Sequence, residues 1–426
     1  MGVDWLVLAD DLTGAADCGI AFARRGVRSV VAWGDHAPAA DGRRGVLSYD
    51  VGSRGLSADH AAERHRGQID RLLGASTPLF KKIDSTLRGQ PAAEVAACLA
   101  GLRARGGRGF GVLAPAFPAT GRTVIDGRLR VAGRPLEEAE VWRRDHSYAS
   151  ADLVAVLASA GVVGEVLPLA TVRSEGDALR RTLASLATRG DVVAVCDAEV
   201  QDDLARVAAA CASLPTATLH VGSAGLAHAL ADLTCGTERD PSRDVGPREA
   251  GVRHGGTLLV VGTLAAVSRR AARRTVDAGH ARHVPVAPAL LLNDADAAGR
   301  AALVDVLSRI LSSGNDAMVE VAVDDSPDLS IGPRLATALA DVLFPVLSQA
   351  GALVATGGET AAALLTRFGV TGIRLLDEIE PGACLGLTLG AVSLPVVTKA
   401  GAFGDEGSLT RIAEHLRNPR QNGPTP

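Results

Sequence analysis

Short runs of Val, Leu and Ala alternate along the chain with longer, Ala-rich stretches of helical character. In the first half the apolar runs predict strands at residues 5–9, 28–32, 45–49, 79–83, 111–115, 162–167, 192–196 and 218–221. Residues 121–134 differ, because Gly and Arg alternate there with aliphatic positions as in a small hairpin. Strands that alternate with helices are typical of βαβ units, so the pattern predicts an α/β fold with mostly parallel sheets.

The apolar pattern stops in residues 236–256, which are rich in charge, Pro and Gly, and then restarts. The second half predicts strands at 258–262, 283–286, 317–323 and 352–358, a helix that ends near 310, a long helix over 333–349 and a closing strand before Lys399. We therefore expect two Rossmann-like α/β domains, over 1–235 and 257–415, with the active site in the interdomain cleft. Residues 236–256 are predicted to be a linker or crossover, and 416–426 a disordered tail.

Composition excludes several classes of protein. At 426 residues, 47% of them hydrophobic, the chain is long enough for two cores. The net charge is −4 with no block of Lys or Arg, which gives no support to a nucleic-acid or membrane-surface role. We expect a cytoplasmic protein, because we find neither a signal-peptide pattern nor an apolar run of ~20 residues. The six scattered cysteines predict reduced core residues, not a disulfide framework or zinc site, and the sequence leaves a homo-oligomer open.

Two adjacent carboxylates, Asp10 and Asp11, follow the first strand directly in the segment ADDLTGA. Ligands of open α/β sheets bind beyond the carboxyl ends of the strands. The pair could hold substrate hydroxyls or a metal ion, whereas the simpler interpretation is that Asp11 or Thr13 caps the next helix. We favour a functional role, because two acids exceed what one cap needs.

The segment KKIDSTLRG, residues 81–89, brings five polar side chains to another strand end. They are Lys82, Asp84, Ser85, Thr86 and Arg88. A small acid with several hydroxyls needs this mixture, since cations bind its carboxylate while acids and hydroxyls bind its OH groups. Asp84 could also accept the proton of a reacting hydroxyl. A helix cap with solvated basic neighbours explains the composition equally well.

Three glycine-containing turns of the second half are candidates for holding phosphates, because free N–H groups at a helix start favour anions. Their residues are Thr263; Gly357, Gly358, Glu359 and Thr360; and Lys399 with Gly401 and Gly404. Each turn could instead be an ordinary strand–helix connection or a surface loop. The P-loop motif GxxxxGK[ST] is absent from the chain.

Taken in order, these segments resemble those of the four-carbon acid sugar kinase family. The shared segments are ADDLTGA (9–15), KKIDSTLRG (81–89), APAFPATGR (114–122), GSAGL (222–226), VGT (261–263), GGET (357–360), PGACLG (381–386) and KAGAFG (399–404). They follow the family's order over nearly the whole chain. Three positions depart from the family pattern, since Cys384 replaces a proline, Ala400 a serine and Ala402 a glycine.

The resemblance implies a kinase that uses ATP to phosphorylate a four-carbon sugar acid such as threonate, erythronate or 3-oxo-tetronate. The first domain is expected to hold the acid, through Asp10, Asp11, Arg54, Lys82, Asp84, Ser85 and Arg88. The second is expected to hold ATP, through Thr263, Gly357, Gly358, Glu359, Thr360, Gly401 and Gly404, with Lys399 near the phosphates.

We expect Mg²⁺ to bridge the phosphates of ATP, although the sequence does not identify its ligands. Asp84, Asp10 or Asp11 is expected to accept the proton of the reacting hydroxyl. Two other functions stay open. An NAD-dependent hydroxy-acid dehydrogenase would need the GxGxxG fingerprint, which does not follow either first strand, and a non-catalytic sugar-acid-binding protein would normally carry an export signal.

Overall fold

The computed structural model describes residues 4–35, 45–144, 147–234, 255–293, 295–322 and 331–417. These residues divide into two compact units, one that ends at Thr234 and one that begins at Gly255. Residues 236–254 of the predicted linker and 418–426 of the predicted tail lie outside the described residues. Leu416 and Arg417, which we predicted in the tail, belong instead to the last helix.

A parallel sheet of eight strands forms the centre of the first unit, in the order β2–β3–β1–β4–β11–β5–β10–β9. The strands of this unit are β1 (Trp5–Ala9), β2 (Ser29–Trp33), β3 (Val46–Asp50), β4 (Leu79–Lys82), β5 (Gly111–Ala114), β6 (Arg122–Ile125), β7 (Arg128–Val131), β8 (Arg134–Pro135), β9 (Gly164–Leu167), β10 (Val193–Cys196) and β11 (Leu219–Gly222). Every predicted strand of the first half is confirmed, with ends that shift by one or two residues.

Helices cover both faces of this sheet, so all of its strands are buried except the edge strand β9, which is half-buried over Gly164–Val166. The helices are α1 (Leu12–Ala23), α2 (Ala58–Leu72), α3 (Pro91–Arg103), α4 (Glu140–Arg144), α5 (Leu153–Ala158), α6 (Leu169–Val172), α7 (Ala178–Arg189), α8 (Gln201–Cys211) and α9 (Ala224–Thr234). Helix α9 packs against α1 and α8, and α3 packs against α2 and α5.

The predicted hairpin is confirmed and extends to a small antiparallel sheet of β6, β7 and β8. The carboxylate of Asp197, which follows β10, holds the turn between β6 and β7. It accepts hydrogen bonds from the backbone N–H groups of Asp126 and Gly127, at 2.7 and 2.9 Å.

The second unit has its own sheet, in the order β13–β14–β12–β15–β18–β17–β16. Its strands are β12 (Thr257–Val261), β13 (Arg282–Val286), β14 (Ala317–Val321), β15 (Ala352–Thr356), β16 (Val370–Glu380), β17 (Ala383–Gly390) and β18 (Pro395–Lys399). The first five strands in this order are parallel, and β17 and β16 continue the sheet in antiparallel fashion. The sequence did not predict β16 and β17, so the fold prediction was incomplete here.

The helices of the second unit are α10 (Ala266–Asp277), α11 (Pro288–Leu292), α12 (Ala297–Ser312), α13 (Gly332–Leu343), α14 (Gly358–Arg367) and α15 (Ser408–Arg417). The helix predicted over 333–349 is shorter than expected. It ends at Leu343, and a 3₁₀ segment continues to Gln349. Pro345 explains the change, because proline has no N–H and its ring clashes with the preceding helical turn.

Two further predictions concern the chain as a whole. Cys18, Cys98, Cys196, Cys211 and Cys384 are free and buried, as predicted for core residues, and Cys235 lies outside the described residues. No helix within the described part of the chain is long and apolar enough to cross a bilayer.

Candidate active site

The strand order of the first unit reverses beside β1, because β2 and β3 lie on one side of it and β4 on the other. Such a switch point opens a crevice beyond the carboxyl ends of the strands. β1 leads there into Asp10 and Asp11, β3 ends at Asp50, and β4 ends at Lys82. The fold therefore gathers charged residues from three neighbouring strands at one edge.

Arg54 clamps the two carboxylates that follow β1. Its Nε and Nη2 donate to the two oxygens of Asp10, at 2.7 and 3.0 Å, and its Nη1 donates to Asp11 at 2.6 Å. The same Nη2 lies 3.6 Å from Asp84 Oδ1. The planar guanidinium suits such fork-shaped pairing, so one arginine fixes three acids of the edge.

Asp11 caps α1, as the simpler interpretation predicted, and it also belongs to the charged cluster. Its Oδ1 accepts from the backbone N–H of Gly14 at 2.9 Å and so caps α1. Its Oδ2 accepts from the Thr13 hydroxyl at 2.8 Å and from Arg54. The cap and the charged cluster therefore use different oxygens of one carboxylate.

Asp84 pairs with Arg88 within the turn after β4. The Nη2 and Nε of Arg88 donate to the two Asp84 oxygens, at 2.7 and 3.1 Å, and the hydroxyl and backbone N–H of Thr86 donate as well. The turn carries the buried Leu87 at φ 60°, in the left-handed region that costs a branched side chain energy. Backbone strain is thus stored beside the charged residues.

The arginines keep their carboxylates ionised. Burial alone would raise the pKa of Asp10, but the charges of Arg54 and Lys82 outweigh it and lower that pKa. Burial also opposes ionisation of Asp84, yet Arg88 and Arg54 hold its pKa well below the usual range. Both groups are therefore acceptors of hydrogen bonds and weak bases.

Lys82 is a buried cation with unused donors. Only 5% of the residue is exposed, and its ammonium forms no hydrogen bond or ion pair with any residue the structure describes. Burial would lower the pKa of Lys82, but the charge of Asp10 and the neighbouring acids raises it, so the group stays charged. The buried hydroxyl of Ser85 is likewise without a hydrogen bond in the described chain. These donors are open to a ligand.

A second buried network, of Lys81, Glu94 and Ser53, supports the loop that carries Arg54. The ammonium of Lys81 lies 2.9 Å from Glu94 Oε2 of α3, and both side chains are fully buried. The other Glu94 oxygen accepts from the hydroxyl of Ser53 at 2.6 Å. Because Ser53 precedes Arg54, this network holds the loop that carries the clamp.

Three glycine turns of the second unit converge on Thr263. They follow β12, β15 and β18, which are neighbours in the sheet, and the strand order reverses between β12 and β15. A Cβ at Gly401 would collide with the Thr263 hydroxyl, and one at Gly262 would collide with Thr360. Gly357 has φ 88° and caps α14. Only glycines allow backbones to approach this closely, and the first N–H groups of a helix such as α14 suit a phosphate.

Lys399 is buried, and its ammonium forms hydrogen bonds with the loop that follows it. Its ammonium donates to the carbonyls of Phe403 and Ala400, at 2.6 and 3.2 Å, and to the Ser268 hydroxyl at 3.3 Å. Burial lowers the pKa of Lys399 to about 8, and the carboxylate of Glu380 offsets part of this effect. The side chain therefore fixes the shape of the 400–404 loop, with no donor directed to open space.

The departures from the family pattern fit this structure. Ala400 and Ala402 are absent from the residues with positive φ, which in this loop include only Gly404, at φ 82°. Cys384 lies buried in β17, opposite Thr398 of β18. Glu359, in the first turn of α14, has its pKa raised by burial.

Two residues of the first site were not singled out by sequence reasoning. Asp50 is buried at the end of β3, and the position after a strand was its only signal. Arg122 begins β6 in the APAFPATGR segment. Burial lowers the pKa of Arg122, and the charges of Asp84 and Arg88 also act on it.

Two family profiles match the chain in sequence order. One, described as a sugar-binding N-terminal domain, matches residues 5–230, and the other, described as a nucleotide-binding C-terminal domain, matches residues 258–409. Together they cover most of the chain and correspond to the two units.

Relatives match over the full length. A Cupriavidus necator protein named D-threonate kinase is 42% identical over 412 residues, which cover 96% of each chain. A Bordetella bronchiseptica protein of the same name is 32% identical and covers 97% of this chain and 98% of its own. A solved Haemophilus influenzae structure has a TM-score of 0.70 at 19% identity, covering 96% of this chain and 99% of that one, and it shows the shared fold.

Proposed function

Because the chain belongs to the four-carbon acid sugar kinase family, we propose that it transfers the γ-phosphate of ATP to a hydroxyl of D-threonate or a closely related acid. The kinase names of the full-length relatives favour phosphoryl transfer over the dehydrogenase and the non-catalytic binder. The observation that carries the proposal is the buried ammonium of Lys82, which forms no hydrogen bond or ion pair with a described residue and lies among carboxylates held by Arg54 and Arg88.

The first unit would bind the acid. The ammonium of Lys82 and the hydroxyl of Ser85 would meet the carboxylate, since they are the donors not used within the described chain. The ionised Asp10 and Asp84 would accept hydrogen bonds from the hydroxyls of the acid. A ligand with one carboxylate and several hydroxyls satisfies both kinds of group.

The second unit would bind ATP. The N–H groups at the start of α14 from Gly358 onward, and that of Gly401, would hold its phosphates, and Thr263 and Thr360 would add hydroxyls. Gly357 would shape this turn, because its own N–H donates to the Lys399 carbonyl at 2.9 Å. Within the described residues there is no cluster of three or more His, Cys, Asp or Glu side chains that could hold a metal. We therefore propose that Mg²⁺ enters bound to the phosphates, where it supplies positive charge.

An ADP-release assay with a panel of acids tests the proposal. The full-length protein with ATP and Mg²⁺ should form ADP with D-threonate, and erythronate and 3-oxo-tetronate define its selectivity. Lys82→Met should lower kcat/KM for the preferred acid about 10-fold to 100-fold, as expected for the loss of one charged hydrogen bond. Arg103→Ala, which removes an exposed pair with Asp191, is the control and should change nothing. ADP formation that does not depend on any acid would refute the assignment.

A further inference from the structure

Asp50 differs from the other carboxylates at the ends of β1, β3 and β4. Asp10 and Asp11 pair with Arg54, and Asp84 pairs with Arg88. Asp50 is only 6% exposed and forms no ion pair within the described residues. Its one hydrogen bond comes from the backbone N–H of Gly52, which lies 2.7 Å from Oδ1. From the described residues, the other oxygen, Oδ2, accepts no hydrogen bond.

Asp50 lies beside the carboxylates that follow β1. It stands opposite Ala9 in the β1–β3 register, one residue before Asp10. On the other side it stands opposite the uncharged Trp33 of β2. The loop that begins next to it returns to β1, because the N–H groups of Ser53 and Arg54 both donate to the Asp10 carbonyl.

The charges around Asp50 come from three elements. Asp11 and Asp10 face it from the end of β1, and Arg54 faces it from the following loop. Arg64 of α2 donates to the carbonyl of Gly52 at 3.1 Å. Burial first, and then the charge of Asp11, raise the pKa of Asp50 to about 7, and the Gly52 N–H and Arg54 offset only part of this.

We propose that Asp50 accepts the proton of the hydroxyl that is phosphorylated, an inference that rests on the proposed kinase function. Asp10 and Asp84 have both oxygens bound by guanidinium groups, and their ionised forms are stabilised. A carboxylate stabilised in this way is a poor proton acceptor. Asp50 combines an available oxygen with a basicity matched to neutral pH, which is what general base catalysis requires.

The step is balanced with ATP as phosphoryl donor. The hydroxyl oxygen of the acid forms a bond to the γ-phosphorus, and the bond between that phosphorus and the β–γ bridging oxygen breaks. The electron pair of the broken bond stays with ADP, and the hydroxyl proton moves to Oδ2 of Asp50. Asp50 then loses this proton to solvent before the next turnover.

A turn-forming role is the alternative, because the Gly52 N–H bond to Asp50 shapes the loop that carries Arg54. Asp50→Asn separates the two roles, since Asn retains an acceptor for Gly52 but cannot take a proton. We expect kcat to fall about 100-fold or more while KM for the acid and the melting temperature stay close to wild type. Asp70→Asn, at an exposed acid of α2, is the matched control.

The pH profile gives an independent readout. Only the ionised Asp50 can accept a proton, so wild-type kcat should rise with pH through about 7. This limb should vanish in Asp50→Asn and persist in Asp70→Asn. If Asp50→Asn has a normal kcat and kcat still rises with pH through about 7, Asp50 only shapes the turn. The proposed kinase function would not be affected by that result. A wild type without acid-dependent ADP formation would instead overturn the function and this role together.

If Asp50→Asn does not fold, the role of Asp50 can still be tested in the wild-type protein. Carbon-13 NMR of the protein labelled at Asp side chains should show a carboxyl that titrates near pH 7 and whose signal shifts when the acid binds. The absence of such a signal would overturn the inference.

Discussion

Arg54 and Arg88 neutralise three carboxylates of the candidate acid site, Asp10, Asp11 and Asp84. Each guanidinium forms a two-pronged pair with one aspartate, and Arg54 also reaches Asp11. Among the described residues of this cluster, the cation without an ion pair is Lys82. The arginines that the sequence suggested as direct contacts of the acid thus have a second task, which is to keep the carboxylates ionised and fixed in place.

Arg88→Ala tests this division of roles. The substitution leaves the buried Asp84 without its two-pronged partner, so the pKa of Asp84 should rise and its fit to the acid should worsen. We expect KM for the acid to increase about 10-fold to 100-fold and KM for ATP to stay constant. Steady-state kinetics with each substrate varied in turn measure both constants, and Arg103→Ala again serves as control. An equal rise in both constants would contradict the assignment of the acid to the first unit.

At the residue scale the sequence predicted this cluster because its members follow strand ends, where any parallel sheet brings them together. Arg54 could be named only through the resemblance to a known family, since it lies in a loop. Asp50 escaped attention because one acid after a strand is common. Its burial, and the lack of an ion pair with any described residue, can be seen only in the folded chain.

The loops of the second unit depend on a pair of strands that the sequence did not reveal. β16 and β17 form a long antiparallel hairpin with register shifts, so their apolar positions do not alternate regularly. Pro381 and Gly382, at the turn between them, were the available signal. A Cβ at Gly382 would collide with Phe403, so this turn packs directly against the 400–404 loop. Parallel strands linked by helices were predictable because each repeats the same local pattern.

Gly401→Ala tests whether the convergence of the glycine turns serves ATP. The new Cβ would displace Thr263, and overpacking of this kind costs about 1–3 kcal/mol. We expect KM for ATP to rise roughly 10-fold or more, with KM for the acid unchanged.

A glycine-to-alanine substitution away from the site is the control for Gly401→Ala. It shows whether a change in KM for ATP depends on the position of the new methyl group. Gly67→Ala lies in the interior of α2, with open space around the new Cβ, and should stabilise the protein by about 1 kcal/mol. Thermal unfolding measures this gain. Unaltered ATP kinetics in Gly401→Ala would show that the turn does not bind the nucleotide.

At the scale of the whole molecule, the two units repeat one plan. Each has a parallel core whose strand order reverses once near the first strand of the unit, and each gathers its polar residues at that reversal. The side chains differ, however. The first unit presents charged groups suited to an acid, and the second presents glycine backbones suited to phosphates. A common architecture therefore presents two different sets of residues at the same edge of its sheet.

The tryptophans offer a way to observe one unit at a time. The chain has three, and Trp5, Trp33 and Trp142 are all buried in the first unit. Tryptophan fluorescence during thermal unfolding therefore reports on that unit, whereas circular dichroism reports on the helices of both. A ligand that binds only the folded state stabilises the unit that holds it, by about 2.7 kcal/mol at 100 times its Kd.

We expect the preferred acid to raise the midpoint of the fluorescence transition by several degrees. ATP with Mg²⁺ should raise a dichroism transition and leave the fluorescence midpoint closer to its unliganded value. Coincident shifts of both signals would show that the units unfold together. A fluorescence midpoint that responds to ATP and not to the acid would reverse the assignment of the two ligands, because the reporting side chains lie in the unit with Lys82 and Asp50.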